Sequence, residues 1–486
     1  MIQVILAFII SFAIALALTP VARWLGMSCG ALDMPGKRKS HTRPIPRIGG
    51  LAILASLLLS VFLCSLLFTN VFDTLCWTSQ RVYYVFGGLL IFSAGFFDDF
   101  KRLTPRTKFF FQILAASLAF YGGVRIEHIL GFQVGGIYFN LLSWAITVFW
   151  FLLFINAINL IDGLDGLAAG ITFFAVLAMA FLAAVKGDYL LAIKFAILCG
   201  VLLGFLFYNY NPASIFLGDG GTYVIGYTIA ALSIIGSVKS TAGAAFLIPL
   251  VVLGVPVFDT ILAPVRRFLS GKNIFRADDE HIHHKLLQKG IKSKNVVLIL
   301  YGTTCALCFL AIVMINLRDS LAALVLGVLA VLALLFVRKL GYFEYLFMDR
   351  IYGWFRDITD ATRHTSYDGS FLDLQAEIKK SDNMDSFWDN LCKAFEFMQF
   401  DAAELHVMKR SDPASAKPGI PLTWQTGNVA EKGMMSIEIS VGAGNPVTVR
   451  LVLLKNLAAE NIRPFTIRRV KLLRQSMEEA LNKIYA

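Results

Sequence analysis

The chain has 486 residues, 57% of them hydrophobic and only 16% charged, with a mean hydropathy of +0.68. A water-soluble domain carries about 25% charged residues, so this is not a soluble enzyme: the apolar excess has to face lipid. The net charge of +11 is read as basic loops that set topology and meet anionic lipid or phosphates, and nucleic acid is not expected as a partner.

The first run, MIQVILAFIISFAIALALTP, lacks the basic n-region of a cleaved signal peptide, and its first basic residue, Arg23, comes after the apolar stretch. It is predicted to be a retained helix that starts on the outer side. Further apolar runs follow near 48–69, 82–97, 108–123, 141–160, 166–185, 189–210, 221–236, 242–265, 295–315 and 320–340. Each is about long enough to cross a bilayer, which predicts about eleven transmembrane helices in an all-α polytopic membrane domain over 1–340. Basic residues crowd three loops, at Lys37–Arg47, Lys101–Lys108 and Arg266–Lys294, while the opposite loops carry about one each. The positive-inside rule then places the N-terminus outside and the C-terminus inside.

From about Gly341 the composition becomes that of a soluble domain. Residues 341–370 read as an amphipathic linker on the membrane surface, and 371–486 as a small cytoplasmic α+β domain. There DSFWDNLCKAFEFM and IRRVKLLRQSMEEALNKIY have helical spacing, and AAELHVMK, MSIEISVG and VTVRLVLLK alternate as strands do. Docking of a cytoplasmic regulator is the favoured role for this domain, with passive packing as the alternative. The seven cysteines are scattered and form no disulfide framework, and Cys305 and Cys308 lie inside an apolar run, where packing is expected.

The unusual polar motifs all fall at the predicted cytoplasmic ends. They are DMPGKRKSHTRPIPRIGG (33–50), GFFDDFKRLTPRTK (95–108), NAINLIDGLDG (156–166), NPASIFLGDGGTYVIG (211–226) and RADDEHIHHKLL (276–287). Such one-sided convergence points to a single site at the membrane boundary. Asp98 and Asp99 end an apolar helix, either as solvated end charges or as a magnesium or general-base site. Asn156, Asn159, Asp162 and Asp165 recur every third residue and drift about 60° per step around a helix, enough to line a cavity. Interhelical hydrogen bonding is their bland alternative. Gly163 and Gly166 are expected to let backbone amides approach a ligand. Asp219 sits on a Gly-rich turn at a helix start, a place suited to a hard cation or a phosphate. His281, His283 and His284 stand among basic residues and fit pyrophosphate binding better than zinc. Asp259 reads either as a site residue or as a buried partner of Arg266.

Taken in order over roughly residues 1–345, these motifs resemble the polyprenyl-phosphate N-acetylhexosamine-1-phosphate transferases, the WecA, TagO and MraY superfamily. The HIHH and PVFDT forms are similar to the WecA and TagO branch. In the family the paired aspartates often run on to a third acidic or amide residue; here Phe100, Lys101, Arg102 and Leu103 follow. The resemblance implies transfer of a sugar-1-phosphate from a UDP-N-acetylhexosamine, UDP-GlcNAc in preference to UDP-MurNAc-pentapeptide, to undecaprenyl phosphate with release of UMP. It also implies Mg²⁺, with Mn²⁺ as the alternative ion, a homodimer, and a bacterial inner membrane with the active site on its cytoplasmic side. No ATP is needed, and no G-x-x-x-x-G-K-[ST] occurs.

By the resemblance Asp219 is the principal metal ligand, Asp99 its helper, and Asp98 the base acting on the lipid phosphate, with covalent attack by Asp98 as the competing mechanism. Asn156, Asn159, Asp162 and Asp165 then hold the uridine end, and His281, His283 and His284 the pyrophosphate and sugar. Lys37, Arg38, His41 and Lys108 are candidate phosphate contacts. A cation-coupled transporter is the rival of another class, but the chain shows no clear internal repeat and its polar groups gather at one face instead of the midplane.

Overall fold

A computed structural model describes residues 1–35, 43–68, 79–129, 132–133, 140–238, 244–269, 281–314, 327, 371–409, 421–426, 434–442, 447–456 and 464–485. The chain divides into two compact units, Met1–Leu340 and Gly341–Ala486.

The first unit is a helical bundle. Its long helices are α1 (Ile2–Ser28), α2 (Gly49–Leu67), α3 (Ser79–Phe100), α4 (Pro105–Tyr121), α5 (Asn140–Ile161), α6 (Leu167–Val185), α7 (Tyr189–Asn209) and α8 (Gly218–Val238). Then come α9 (Ala244–Val252), α10 (Gly254–Leu269), the short α11 (Ile282–Gln288) and α12 (Ser293–Met314). Two strand pairs lie between helices: β1 (Leu32–Asp33) with β2 (Ile45–Pro46), and β3 (His128–Ile129) with β4 (Phe132–Gln133). Among the described residues seven helices are long and apolar enough to cross a membrane, so the chain is a multi-pass membrane protein. The apolar run at 242–265 is two helices, interrupted at Leu253 between Pro249 and Gly254. Apart from Gly327, the run at 320–340 and the surface helix read over 341–370 lie outside the described residues.

Between helices in lipid, close packing replaces the hydrophobic effect, so small residues mark the contacts. The buried stripe of α1 is Ala7, Ser11, Ala15, Thr19, Ala22 and Gly26, and α1 packs against α7 and α2. Its partner positions on α7 are glycines. A Cβ on Gly200 would lie 2.2 Å from the Ser11 Oγ, and one on Gly204 2.7 Å from the Phe12 carbonyl oxygen. Helix α8 runs through the middle, against α2, α3 and α5, with Tyr223 and Tyr227 fully buried.

The loop before α8 is stitched to the start of α2. Phe216 N–H donates to the Pro46 carbonyl (2.8 Å), Gly49 N–H to Phe216 (2.9 Å) and Gly50 N–H to Leu217 (2.8 Å). This stitching sets the height of the α8 N-terminus in the bundle.

Among the described residues the second unit is a four-stranded antiparallel sheet with three helices. Its strands β5 (Ala402–Lys409), β6 (Leu422–Gln425), β7 (Met434–Gly442) and β8 (Val447–Asn456) run in the order β6-β5-β8-β7. Leu405, Ile439, Val449, Leu451 and Leu453 turn one face inward, onto Phe387, Leu391, Leu473 and Met477 of α14 (Met384–Phe397) and α15 (Pro464–Ile484). The strands β5, β7 and β8 fall where alternation predicts them. The short β6 and helix α13 (Phe371–Lys380) are not evident from the sequence pattern.

A Cβ placed on Gly50 would lie 2.3 Å from the Gly221 nitrogen, so Gly50→Ala has to push α2 and α8 apart. The expected cost is about 1–3 kcal/mol, read as a lowered midpoint in thermal unfolding of the detergent-purified protein.

Candidate active site

Four helix ends meet in one polar cluster. At the C-terminal end of α3, Asp98 is buried and its Oδ1 accepts from the Leu103 amide (2.6 Å), closing the turn into α4. Thr104 caps α4, accepting from the Thr107 amide, with Pro105 at the first helical position. The cap brings Lys108 onto the first turn of α4, facing back. Its Nζ lies 2.6 Å from Asp98 Oδ2 and 2.8 Å from Asp219 Oδ2. Asn159, near the end of α5, donates from Nδ2 to Asp219 Oδ1 and to Thr222 Oγ1, both at 3.1 Å. Lys108, Asp98, Asp219 and Asn159 thus form a single chain of contacts across α3, α4, α5 and α8.

Asp99 faces elsewhere. Its Oδ1 accepts from the Asp219 amide (2.8 Å), its Oδ2 from the Gly220 amide (3.1 Å), and Arg47 Nη2 is 3.6 Å from Oδ1. Gly218 makes the turn into α8 at φ +73. A Cβ there would lie 2.4 Å from the Arg47 carbonyl oxygen and 2.6 Å from Asp99 Oδ2, so glycine is required twice over.

The stretch 156–166 divides between frame and site. Asn156 donates to Gln112 Oε1 (2.8 Å) and to the Leu152 carbonyl (2.7 Å), a lock between α5 and α4. Asp165 Oδ2 accepts from Asn211 Nδ2 (3.0 Å) and from the Ala213 amide (3.1 Å), which holds the loop entering α8. Asp162, half-buried beyond the end of α5, is pushed up to about 7. Burial is the first cause, then the Asp219 charge, with Arg47 pulling the other way.

The glycines of this stretch serve as seats for side chains. A Cβ on Gly163 would lie 2.4 Å from His283 Nε2, and one on Gly170 1.9 Å from the Tyr301 hydroxyl. That hydroxyl donates to the Gly166 carbonyl at 2.6 Å, and Gly166 takes φ +75. The histidine segment and α12 dock on these glycines, while Gly163 itself stays exposed.

The histidines fall into place around Asp259. Its Oδ2 accepts from the Ile282 amide (3.1 Å) and lies 3.2 Å from His281 Nδ1, so it fixes both the start of α11 and the His281 ring. Asp259 is therefore the partner of His281; the Arg266 side chain lies outside the described residues. The His283 and His284 rings are 4.2 Å apart. Burial, and then His284 and His281, hold His283 down at about 3, so it is a neutral imidazole at any physiological pH. Lys37, Arg38 and His41 lie outside the described residues.

Asp98 and Asp219 converge on one positive charge, and hard oxygen donors so arranged suit Mg²⁺ or Mn²⁺ once the ammonium turns aside. Among the described residues no three His, Cys, Asp or Glu side chains gather closely enough to hold a metal ion by themselves. Such a cation would complete its shell from water and substrate phosphates, as Mg²⁺ commonly does. Gln112, Arg47, Thr222 and Tyr301 escape the sequence reading. Gln112 alone carries a local signal, an amide one helical turn after Lys108 in an otherwise apolar run.

Residues 81–237 match the family described as Glycosyl transferase family 4. A Bacillus subtilis protein named as a probable undecaprenyl-phosphate N-acetylglucosaminyl 1-phosphate transferase is 35% identical over 302 residues, covering 62% of this chain and 82% of the relative. A decaprenyl-phosphate N-acetylglucosaminephosphotransferase of Mycobacterium tuberculosis is 36% identical, over 64% of this chain and 83% of its own length. A phospho-N-acetylmuramoyl-pentapeptide-transferase of Geobacillus is 31% identical, over 58% and 89%.

Because the folded protein raises the Asp162 carboxyl to about 7, its stabilising share is complete below the unfolded value near 4 and is lost as pH rises through about 7. In cation-free buffer Asp162→Asn is therefore expected to raise the thermal midpoint at pH 8 and to match the parent near pH 4. An equal effect at both pH values would contradict this.

Proposed function

Because the chain belongs to the polyprenyl-phosphate N-acetylhexosamine-1-phosphate transferase family, we propose that it transfers GlcNAc-1-phosphate from UDP-GlcNAc to undecaprenyl phosphate, releasing UMP and starting a lipid-linked envelope glycan. The observation that carries the reading is Lys108 between Asp98 and Asp219, with Asn159 on the far oxygen of Asp219. One pyrophosphate linkage replaces another, so the task is to position two polyanions and offset their repulsion.

An oxygen of the lipid phosphate attacks the phosphorus that bears the sugar, and the bond to the UMP phosphate breaks as the new one forms. Asp98 serves as the base that orients or deprotonates the lipid phosphate, and Lys108 follows the charge between Asp98 and the phosphates. Asp219 is the principal protein ligand for Mg²⁺, which when bound supplies charge neutralisation at the phosphates. Asp162 and the His281–His284 segment border the nucleotide and pyrophosphate. Asn156 and Asp165 act on the frame through Gln112 and the 211–213 loop.

The site belongs at the cytoplasmic face of a bacterial plasma membrane, in a bundle of about eleven spans. Supporting this, Lys101, Arg102 and Arg106 flank the α3–α4 turn, and Lys285, Lys289, Lys292 and Lys294 flank His283.

Purified protein with radiolabelled UDP-GlcNAc, undecaprenyl phosphate and Mg²⁺ is expected to yield labelled lipid and UMP. Neither product from any UDP-N-acetylhexosamine, or UMP without lipid-linked sugar, would remove the reading. Asp98→Asn and Asp219→Asn are each expected to lower turnover by about 10³-fold or more in a folded protein.

The orientation has its own check. In a cysteine-free background, Arg102→Cys and Lys289→Cys are both expected to escape a membrane-impermeant maleimide in intact cells and to react after permeabilisation. Labelling of either from outside would overturn it.

A further inference from the structure

We infer that Asp99 is a positioning residue: its carboxylate holds the first backbone amides of α8 and thereby sets the direction of the Asp219 side chain. The claim rests on the transferase reading only for its kinetic arm. Adjacent residues on a helix point about 100° apart, and the two aspartates at the end of α3 divide accordingly. Asp98 turns to Leu103 and Lys108. Asp99 turns to the amides of Asp219 and Gly220, one on each oxygen, with its side chain only 3% exposed.

The first amides of a helix have no partner within it, and the helix dipole favours an anion there. Asp99 provides that anion from a helix 120 residues away in sequence. The fit is tight. A Cβ on Gly95, one turn before Asp99, would lie 2.7 Å from the backbone of Asp219 and Gly220. The glycine at 218 lets the chain reverse directly under the carboxylate. Arg47, 3.6 Å away, holds Asp99 from the side of the α2 segment that is stitched to residues 216–217. Turning Asp99 toward a substrate would strip two amides at the buried start of α8.

The test compares parent, Asp99→Asn, Asp98→Asn, Asp219→Asn and the Asp99→Asn/Asp219→Asn double variant, each as the full chain in detergent. Amide hydrogen exchange is followed over residues 215–224 and single-turnover transfer is measured alongside. Asp99→Asn sets an amide donor against one N–H, so exchange at Asp219 and Gly220 is expected to rise at least ten-fold, with no change in Asp98→Asn. The double variant is expected to transfer within about three-fold of Asp219→Asn alone, since a residue that works through Asp219 has nothing left to position. Unchanged exchange in folded Asp99→Asn, or losses in the double variant that multiply, would overturn the assignment. Should Asp99→Asn not fold, Asp99→Ser adds no bulk and reads the same exchange. If the parent makes no product, the transferase reading fails and the exchange result still judges the role of Asp99.

Discussion

Two carboxylates held against one ammonium where four helix ends meet govern how this bundle is built. Unit charges about 4 Å apart interact by about 4 kcal/mol at an effective dielectric near 20. Asp98 and Asp219 therefore stay together as anions only with a cation between them. Lys108 takes that place, and its position follows from the Thr104 cap and the turn closed by Asp98 on Leu103. Asp98, the base in the proposed reaction, also folds the loop that delivers its counter-charge.

Around this centre the acidic residues fall into two sets. Asp99, Asp165 and Asp259 spend their oxygens on backbone amides, at 219–220, at 213 and at 282. Each ties down a loop or helix start that a membrane bundle cannot hold by burial alone. Asp98 does both, with one oxygen on the Leu103 amide and the other on Lys108, and with Asp219 and Asp162 it is assigned to the chemistry in the proposed reaction. A polar rim rigid enough for phosphoryl transfer thus comes from carboxylates fastening main chain, with hydrogen bonds to a charged group worth about 1.5–3 kcal/mol each.

Much of this is legible in the order of the amino acids alone. Runs of about twenty apolar residues have one use, and nine of the predicted runs fall on helices of the bundle, with a tenth divided in two. The ordered motifs at Asp98, Asn159, Asp219 and His283 point to a shared site because basic loops put them on one side. The division between Asp98 and Asp99 is hidden, because it depends on the rotation of α3 against a helix that begins 119 residues after Asp99. Asn156 looks like a site residue because its true partner, Gln112, sits in a run that otherwise reads as lipid-facing. The seats at Gly163 and Gly170 are not legible locally because the side chains that fill them, His283 and Tyr301, arrive from beyond residue 280. Strand β6 is four residues long, too short for alternation to register.

The seat of Tyr301 on Gly170 has an implication for reengineering and for divergence. The ring occupies volume that any side chain at 170 would need, and its hydroxyl is spoken for by Gly166. Enlarging 170 alone expels the phenol; trimming 301 alone leaves a hollow beside the Gly166 carbonyl, which then keeps only the Gly170 amide as donor. The two positions form a key and keyway, viable only as a matched set, so libraries that vary one must vary the other.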